Sequence, residues 1–303
     1  MTRPSGRASR SLDRNFPYSE RLPRHRTDSD KPDATIATTE GAIATLRILR
    51  HLSYAVCTAL VVGAGSAVTA QDWRADRDPA GLAPDPAKVK EAVVQVYGAR
   101  TRGAKGFFGV HTWVAAKPTG ASEWTVYEVI GWRLRWSDSA VVVRHRSPDS
   151  RWYGAPAELY AERRGEGVDE LIKRIEKAVK DYPYANTYTV YPGPNSNTFT
   201  AWIARAVPEL EVDLPATAIG KDYLGGSFIS TAPSGSGVQL SLGGLLGIAA
   251  SGVEGLELNL LGLNFGVSAT GVKLPFVGRL GPAFKSAVAA EPVTAPRALV
   301  ARP

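Results

Sequence analysis

The stretch Tyr191–Trp202, YPGPNSNTFTAW, decides how the rest of the chain is interpreted. Its Pro-Gly-Pro sequence predicts a turn, because proline and glycine supply the backbone angles that tight turns require. Asn195 or Ser196 can then cap a helix that runs from Asn197 to Val207 and ends before Pro208. The turn therefore places Ser196 at the start of a predicted helix. The chain before the turn is expected to form a framework that supports it, and the chain after the turn is expected to cover it.

The framework upstream is predicted to be a sheet. Phe107–Ala116, Trp124–Leu134 and Ala140–His145 are rich in β-branched and aromatic residues, a composition typical of strands. Val93–Ala99 alternates weakly and fits either a strand or a short helix. Because the connections between the strands are short, we expect antiparallel pairing.

A helix and a second group of strands complete the predicted fold. Glu166–Lys180 carries apolar residues at three- and four-residue spacing, which predicts an amphipathic helix. Residues 225–281 are rich in Gly and Leu, and their alternation predicts two or three strands in a small antiparallel sheet. The fold class is therefore α+β, an antiparallel sheet with packed helices, in a single globular domain over residues 89–284.

The segments outside that domain differ in composition. Residues 1–45 are rich in Arg, Ser, Asp and Pro and are expected to be a disordered basic tail. Residues 72–88 form a Pro- and Asp-rich linker, and residues 285–303 a second disordered tail.

Residues 46–71 are predicted to be a signal peptide or a membrane anchor. Residues 52–70 carry no charge, and roughly 19 residues of helix just cross a ~30 Å hydrocarbon layer. Arg47 and Arg50 precede this segment and favour a cytoplasmic N-terminus. It ends in Val68-Thr69-Ala70, which suits signal peptidase, and both interpretations export residues 71–303 to the periplasm or to the outer side of the inner membrane. A buried core helix is the alternative.

Charge and cysteine content exclude several classes of function. The net charge is +7, but residues 1–51 hold ten Lys/Arg and six Asp/Glu, so the remaining 26 basic and 23 acidic residues leave little excess. The body of the protein is thus not a basic surface, and nucleic acid is not an expected partner. Cys57 is the only cysteine, and no metal-ligand spacing or phosphate-binding glycine loop is found, so we expect no metal and no cofactor.

Ser196 and His111 are the candidate catalytic residues. A nucleophile at a helix N-terminus gains from the helix dipole, which favours developing negative charge, but a serine still needs a base. His111 lies in the middle of a predicted apolar strand, whereas His145 stands between two arginines, where solvent exposure is expected. The alternative for His111 is an ordinary core residue whose hydrogen bonds are satisfied.

Four further residues are candidates for binding. Asn195, Asn197 and Thr198 surround the serine, and the two asparagines can donate to an oxyanion or simply close a turn. Arg100 precedes the His111 strand and can hold an anionic substrate or lie in a solvated loop. Lys221, Asp222 and Tyr223 are expected in an ordinary surface loop.

These residues carry a resemblance to a known family. The segments YGARTRGAKGFFGVHTWVAAKP, YEVIGW, RWYGAPAEL, YPGPNSNTFTAWIARAVPEL and LPATAIGKDY resemble a bacterial domain-of-unknown-function family, DUF3750, over about residues 72–281. The resemblance implies an exported or membrane-anchored protein and assigns no activity.

A more distant resemblance carries chemistry. A strand His-Thr followed downstream by Asn-X-Asn-Thr-Phe at a helix start is similar to circularly permuted papain-like proteins, among them lecithin retinol acyltransferase-like enzymes. It implies that His111 is the base and Ser196 the nucleophile, with serine where that family has cysteine. A third, orienting group is then expected from the neighbouring strand, either Glu128 or Tyr127.

Two functions remain open at this point. The first is an amidase or acyltransferase that uses Ser196 and His111 on a peptide or lipid of the cell envelope. The second is a non-catalytic binding module in which Ser196 only caps the helix, at about 1 kcal/mol of stability. The apolar 225–281 region can additionally face a membrane or a partner, although burial in the domain's own core explains its composition equally well.

Overall fold

The computed structural model describes residues 78–269 and 271–281. The predicted basic tail, the 46–71 segment, the first part of the linker and the C-terminal tail lie outside these residues. Among the described residues, none of the helices combines the length and the hydropathy that crossing a bilayer requires. The fold is α+β with mostly antiparallel sheet, as predicted.

The first sheet has five antiparallel strands in the order β4-β3-β2-β1-β5. The strands, in chain order, are β1 (Val93–Arg100), β2 (Val110–Lys117), β3 (Thr125–Val129), β4 (Val141–His145) and β5 (Glu158–Arg164). β5 was not predicted. Val93–Ala99 fitted either a strand or a short helix, and the strand interpretation is confirmed.

Two predicted strands are shorter than expected. Lys105–Phe108 forms the short helix α1, so Phe107 and Phe108 are not in β2. β3 ends at Val129, and Gly131–Arg135 forms a 3-10 turn. The expected strands at 107–116 and 124–134 are therefore wrong at one end each.

Two helices cover one face of this sheet, and their core is apolar. They are α2 (Val168–Lys180) and α3 (Ser196–Ala206). Valines of β1 and β2 meet residues such as Leu171, Ile175, Phe199 and Ile203 there, all nearly fully buried. This side of the sheet thus carries the main core, and it fixes where the start of α3 lies.

The opposite face has a smaller aromatic core. Its buried residues are Tyr97, Trp113 and Trp124. They are covered by Trp152, from the loop after β4, and by Leu159, from β5. Strand side chains alternate between faces, so neighbouring residues of β2 belong to different cores. Trp113 lies in this aromatic core, and Val114 lies in the main core.

The second sheet contains seven strands rather than two or three, in sequential order. They are β6 (Ile229–Ser230), β7 (Val238–Leu242), β8 (Leu246–Ser251), β9 (Gly255–Leu260), β10 (Leu263–Ser268), β11 (Gly271–Leu274) and β12 (Gly278–Leu280). Every pair is antiparallel, so this part of the chain is a continuous meander.

Candidate functional site

The start of α3 is a capping box in which Asn195 is the cap, so one of the two predicted caps is confirmed, and the helix begins at Ser196 rather than at Asn197. The Asn195 side-chain oxygen accepts from the backbone N–H of Asn197 at 2.9 Å and of Thr198 at 3.2 Å. The Thr198 hydroxyl in return accepts from the Asn195 N–H at 3.1 Å. Two N–H groups of the first turn and that of the cap are thereby satisfied, and Ser196 becomes the first residue of the helix.

The same side chains tie the helix start to other segments. Asn195 Nδ2 donates to the carbonyls of Val190 and Ile219 at 3.1 and 3.0 Å. Asn197 Nδ2 donates to Val110 O at 3.1 Å and to Ile219 O at 2.8 Å. The Thr198 hydroxyl donates to Gly220 O at 2.7 Å. These three candidate binding residues therefore use their polar groups inside the protein.

His111 and Glu128 lie together on the aromatic side of the sheet. His111 Nε2 is 3.1 Å from Glu128 Oε2, and both side chains are buried. The His111 ring stacks on the Trp152 indole with 3.8 Å between centroids and 11° between planes. Of the two orienting residues considered, Glu128 contacts the histidine, whereas Tyr127 lies in the main core.

Two arginines of the β4 segment neutralise the buried carboxylate. Arg144 Nη2 is 2.6 Å and Arg146 Nη2 3.5 Å from Glu128 Oε1. Burial alone raises the pKa of Glu128, but the His111 hydrogen bond and the two guanidinium charges outweigh it and lower the pKa to about 2. Glu128 is thus ionised at neutral pH. The solvent exposure expected at this strand end is confirmed for His145, whose side chain is 67% exposed, and Arg144 is 45% exposed as well, whereas Arg146 is only 18% exposed.

Burial lowers the pKa of His111, and the hydrogen bond to Glu128 only partly opposes that effect. His111 is therefore neutral at pH 7. Because an ionised carboxylate only accepts hydrogen bonds, Nε2 carries the ring proton and donates it to Glu128. The lone pair of the ring then resides on Nδ1, which is the arrangement that a general base requires.

Thr112 connects this pair to the helix start. Its hydroxyl is 3.3 Å from Ser196 O, 3.0 Å from Asn197 Oδ1 and 2.9 Å from Thr200 Oγ1. Thr112 follows His111 directly in β2, so the two remote parts of the chain are neighbours, but alternation puts the His111 ring on the aromatic face and the Thr112 hydroxyl on the face that α3 covers. Among the described residues, however, no hydrogen bond joins Ser196 to His111.

A second path of contacts leads from His111 to Ser196. Trp152 lies 5.9 Å from the Trp132 ring, and Trp132 follows Gly131. The Tyr188 ring packs directly on Gly131, where an added Cβ would lie 2.3 Å from it. Burial raises the pKa of Tyr188, and its side-chain hydrogen bond with Ser196 opposes that shift. No sequence signal pointed to Tyr188 or Trp152.

Arg100 and the 221–223 segment lie elsewhere. Arg100 donates to the carbonyls of Gly106 and Phe107 at 3.2 and 3.1 Å, so it holds the α1 turn, and a role in binding an anion stays a prediction. Lys221 and Asp222 are almost fully buried, which makes the expected surface loop wrong at these two positions. Within residues 78–269 and 271–281, no group of His, Cys, Asp and Glu could hold a metal ion.

Residues 91–223 match the family model described as "Protein of unknown function (DUF3750)". The matched range contains the whole five-stranded sheet, α2, α3 and all the candidate residues described above, so the resemblance to this domain-of-unknown-function family is confirmed there. No curated protein and no solved structure matches the chain. The similarity to papain-like proteins stays a prediction.

Proposed function

We propose that residues 91–223 form a site for the cleavage or transfer of an acyl or amide bond, arranged as in permuted papain-like proteins. His111 is the general base, Glu128 orients it, and Ser196 is the nucleophile. The observation that carries this proposal is the 3.1 Å contact between His111 Nε2 and the ionised Glu128, which leaves the lone pair of a neutral histidine on Nδ1.

The base is suited to neutral pH. Glu128 holds the Nε2 proton, and burial keeps the ring uncharged, so Nδ1 can accept a proton. A carboxylate behind a histidine also stabilises the imidazolium that forms during the reaction. Since Arg144 and Arg146 keep Glu128 ionised, the pair works as one unit.

Ser196 has the setting of an activated hydroxyl. It opens α3, where the helix dipole stabilises negative charge. In the proposed reaction, Ser196 Oγ attacks the carbonyl carbon while His111 takes the hydroxyl proton. The imidazolium then gives that proton to the leaving amine or alcohol as the bond to the carbonyl carbon breaks, and water or an acceptor alcohol releases the acyl group by the reverse sequence.

Tyr188 is placed to assist the same reaction. Burial raises its pKa, so the phenol keeps its proton at neutral pH, and the phenol lies in hydrogen-bond contact with Ser196. A neutral donor at this point can stabilise the oxyanion that forms after attack. Because the Thr112 hydroxyl faces α3 and the His111 ring faces the aromatic core, the reaction requires the start of α3 and the His111 ring to meet around the edge of β2 when substrate binds.

The proposed substrate and location are supported by the sequence and by the surface near the site. The uncharged 52–70 segment supports export of the domain, either anchored in the inner membrane or released to the periplasm. Trp132 is 41% exposed and adjoins the Trp152–His111 stack. An aromatic surface of this kind suits the apolar part of an envelope lipid or peptide.

A non-catalytic binding module is the second candidate. The missing Ser196–His111 hydrogen bond favours it, as do the cap residues, whose polar groups are already engaged. In that case Ser196 contributes only to the stability of the helix start.

Labelling with a fluorophosphonate, which reacts with activated serines, separates the two functions. We expect the wild type to be labelled, and Ser196→Ala and His111→Gln to lose labelling while they keep their circular dichroism spectra. Ser122→Ala, at an exposed serine, is the control and should be labelled like the wild type. Labelling that persists in folded Ser196→Ala, or that is absent from the wild type, rejects the catalytic proposal in favour of the binding module.

A further inference from the structure

The seven-stranded sheet is polar on its buried face and apolar on its exposed face. In β9, Leu256, Leu258 and Leu260 are 44–57% exposed, while Glu257 and Asn259 between them are only 2–3% exposed. This is the reverse of the usual arrangement, in which the apolar face of a sheet packs on the core. The exposed leucines therefore indicate that a partner covers this face.

The apolar side chains form continuous rows across the strands. In one row, Leu240 of β7 pairs with Ile248 of β8, which pairs with Leu258 of β9, which in turn pairs with Phe265 of β10. A parallel row runs through Leu256 and Val267. The register thus places all of these residues on one face.

The exposed apolar area is large. The members of these rows show between 40% and 61% of their surface. At roughly 200 Å² for a fully exposed side chain of this size, these six members offer about 600 Å². With their neighbours on the same face the whole face offers on the order of 1,000 Å², beyond the few hundred Å² typical of a monomer's largest apolar patch. These neighbours are 36–51% exposed and are Val238, Leu242, Leu246, Leu260, Val272 and Leu280. A stable interface needs about 800 Å² from each partner.

The face is also uncharged. Over residues 228–281 the sequence has four charged residues, Glu254, Glu257, Lys273 and Arg279. The first three are buried, and Arg279 pairs with the buried Asp213 at 2.8 Å. A surface that docks on anionic lipid normally carries Lys or Arg around its apolar centre, and the described part of this sheet offers none there.

We propose that this face is the contact between two copies of the chain, with the two sheets stacked face to face. Sheets packed in this way lie about 10 Å apart, and their side chains interdigitate. A twofold axis makes the same patch serve both partners, which suits a uniform apolar face without complementary charges. The axis passes near Leu258, on the fourth of the seven strands.

Disulfide cross-linking of the full-length chain in intact cells tests the stacking. In a Cys57→Ser background, we expect the Leu258→Cys thiol to give a dimer on mild oxidation. Lys173→Cys, at a side chain on α2 that is 68% exposed, is the matched control and should stay monomeric. In parallel, Leu258→Lys should shift the purified chain from dimer to monomer in analytical ultracentrifugation, with at least a tenfold loss of affinity and an unchanged circular dichroism spectrum.

Three results would overturn the proposal. A Leu258→Cys thiol that stays monomeric and reacts freely with a water-soluble maleimide shows an uncovered face. An internal disulfide with Cys57, in a chain that retains that residue, shows that the 52–70 segment covers the leucines. Protection of the thiol in a monomer only when phosphatidylcholine vesicles are present assigns the face to lipid.

Discussion

Replacing Glu128 with glutamine tests the electrostatics of the proposed site most directly. The substitution keeps the shape of the side chain but removes the charge that faces Arg144 and Arg146. The lowering of the Glu128 pKa from 4.5 to about 2 corresponds to about 3 kcal/mol of stability at pH 7. This agrees with the 3–5 kcal/mol typical when one partner of a buried ion pair is removed.

The expected signature lies in the pH dependence. Because the folded-state pKa is depressed, the stability from Glu128 is fully present above the unfolded value of 4.5 and is lost as the pH falls toward 2. Glu128→Gln should therefore be about 3 kcal/mol less stable than the wild type at pH 7, and the difference should disappear between pH 4.5 and pH 2. Urea unfolding followed by tryptophan fluorescence measures both quantities.

Glu170→Gln is the control for this comparison, since Glu170 pairs with Lys173 on the exposed face of α2. An exposed pair contributes little, so this variant should follow the wild type at every pH. A Glu128→Gln difference that stays constant down to pH 2, or that is no larger than the control, would refute the assignment of a buried carboxylate held ionised by two arginines.

The remaining predictions concern the base and the cap. If His111 is the base, fluorophosphonate labelling of Ser196 should still be near its full rate at pH 6.5 and should fall only at lower pH. Burial lowers the pKa of His111, so the ring stays neutral below its ordinary pKa of 6.5. A half-maximal rate at or above pH 6.5 would contradict this. Asn195→Ala should lower the free energy of unfolding by about 3 kcal/mol, since it removes a helix cap and two donations to the carbonyls of Val190 and Ile219. Asn186→Ala, at an exposed amide, is its control in the same denaturation experiment, and equal losses in the two variants would show that the cap is not the cause.

The helices α2 and α3 were predictable because their signals are local. The three- and four-residue spacing of α2 and the Asn195 cap of α3 lie within a few residues of the features they determine. The strand ends were missed because remote contacts decide them. Arg100 holds the carbonyls of α1, and the Tyr188 ring packs where Gly131 leaves room beyond β3.

The candidate site was predictable in its members but not in its connections. Alternation along β3 required either Glu128 or Tyr127 to face His111, and only the pairing of β2 with β3 decides between them. Trp152 lies in a loop, and nothing in its local sequence predicts the stack with His111. Contacts of this kind depend on the tertiary fold, which the alternation of side chains along a strand cannot specify.

In the second sheet, the alternation of polar and apolar residues identifies the two faces, but it does not tell which of them is buried. Lys221, in the segment after α3, is buried between Asp222 and Glu257, at 3.1 and 2.5 Å. Burial alone lowers the pKa of Lys221, but these carboxylates outweigh it and raise the pKa, so the ammonium group stays charged. Lys273 bridges the same Glu257 to Asp213.

Turning the leucines inward would leave Lys221 and Asp213 buried without the partners that β9 and β11 supply. Removing one partner from a buried ion pair costs about 3–5 kcal/mol, and both Lys221 and Asp213 would lose a partner. The apolar side chains are already about half buried, so each would gain only about half of the 1.5–3 kcal/mol of full burial, and the six of the two rows together gain roughly as much as the two lost partners cost. A second copy stacked on the apolar face removes this conflict, because the ion pairs stay intact in each chain while the leucines of both chains are buried against each other. The buried charges of Lys221 and Asp213 thus explain both which face of the second sheet is buried and why its other face pairs with another copy.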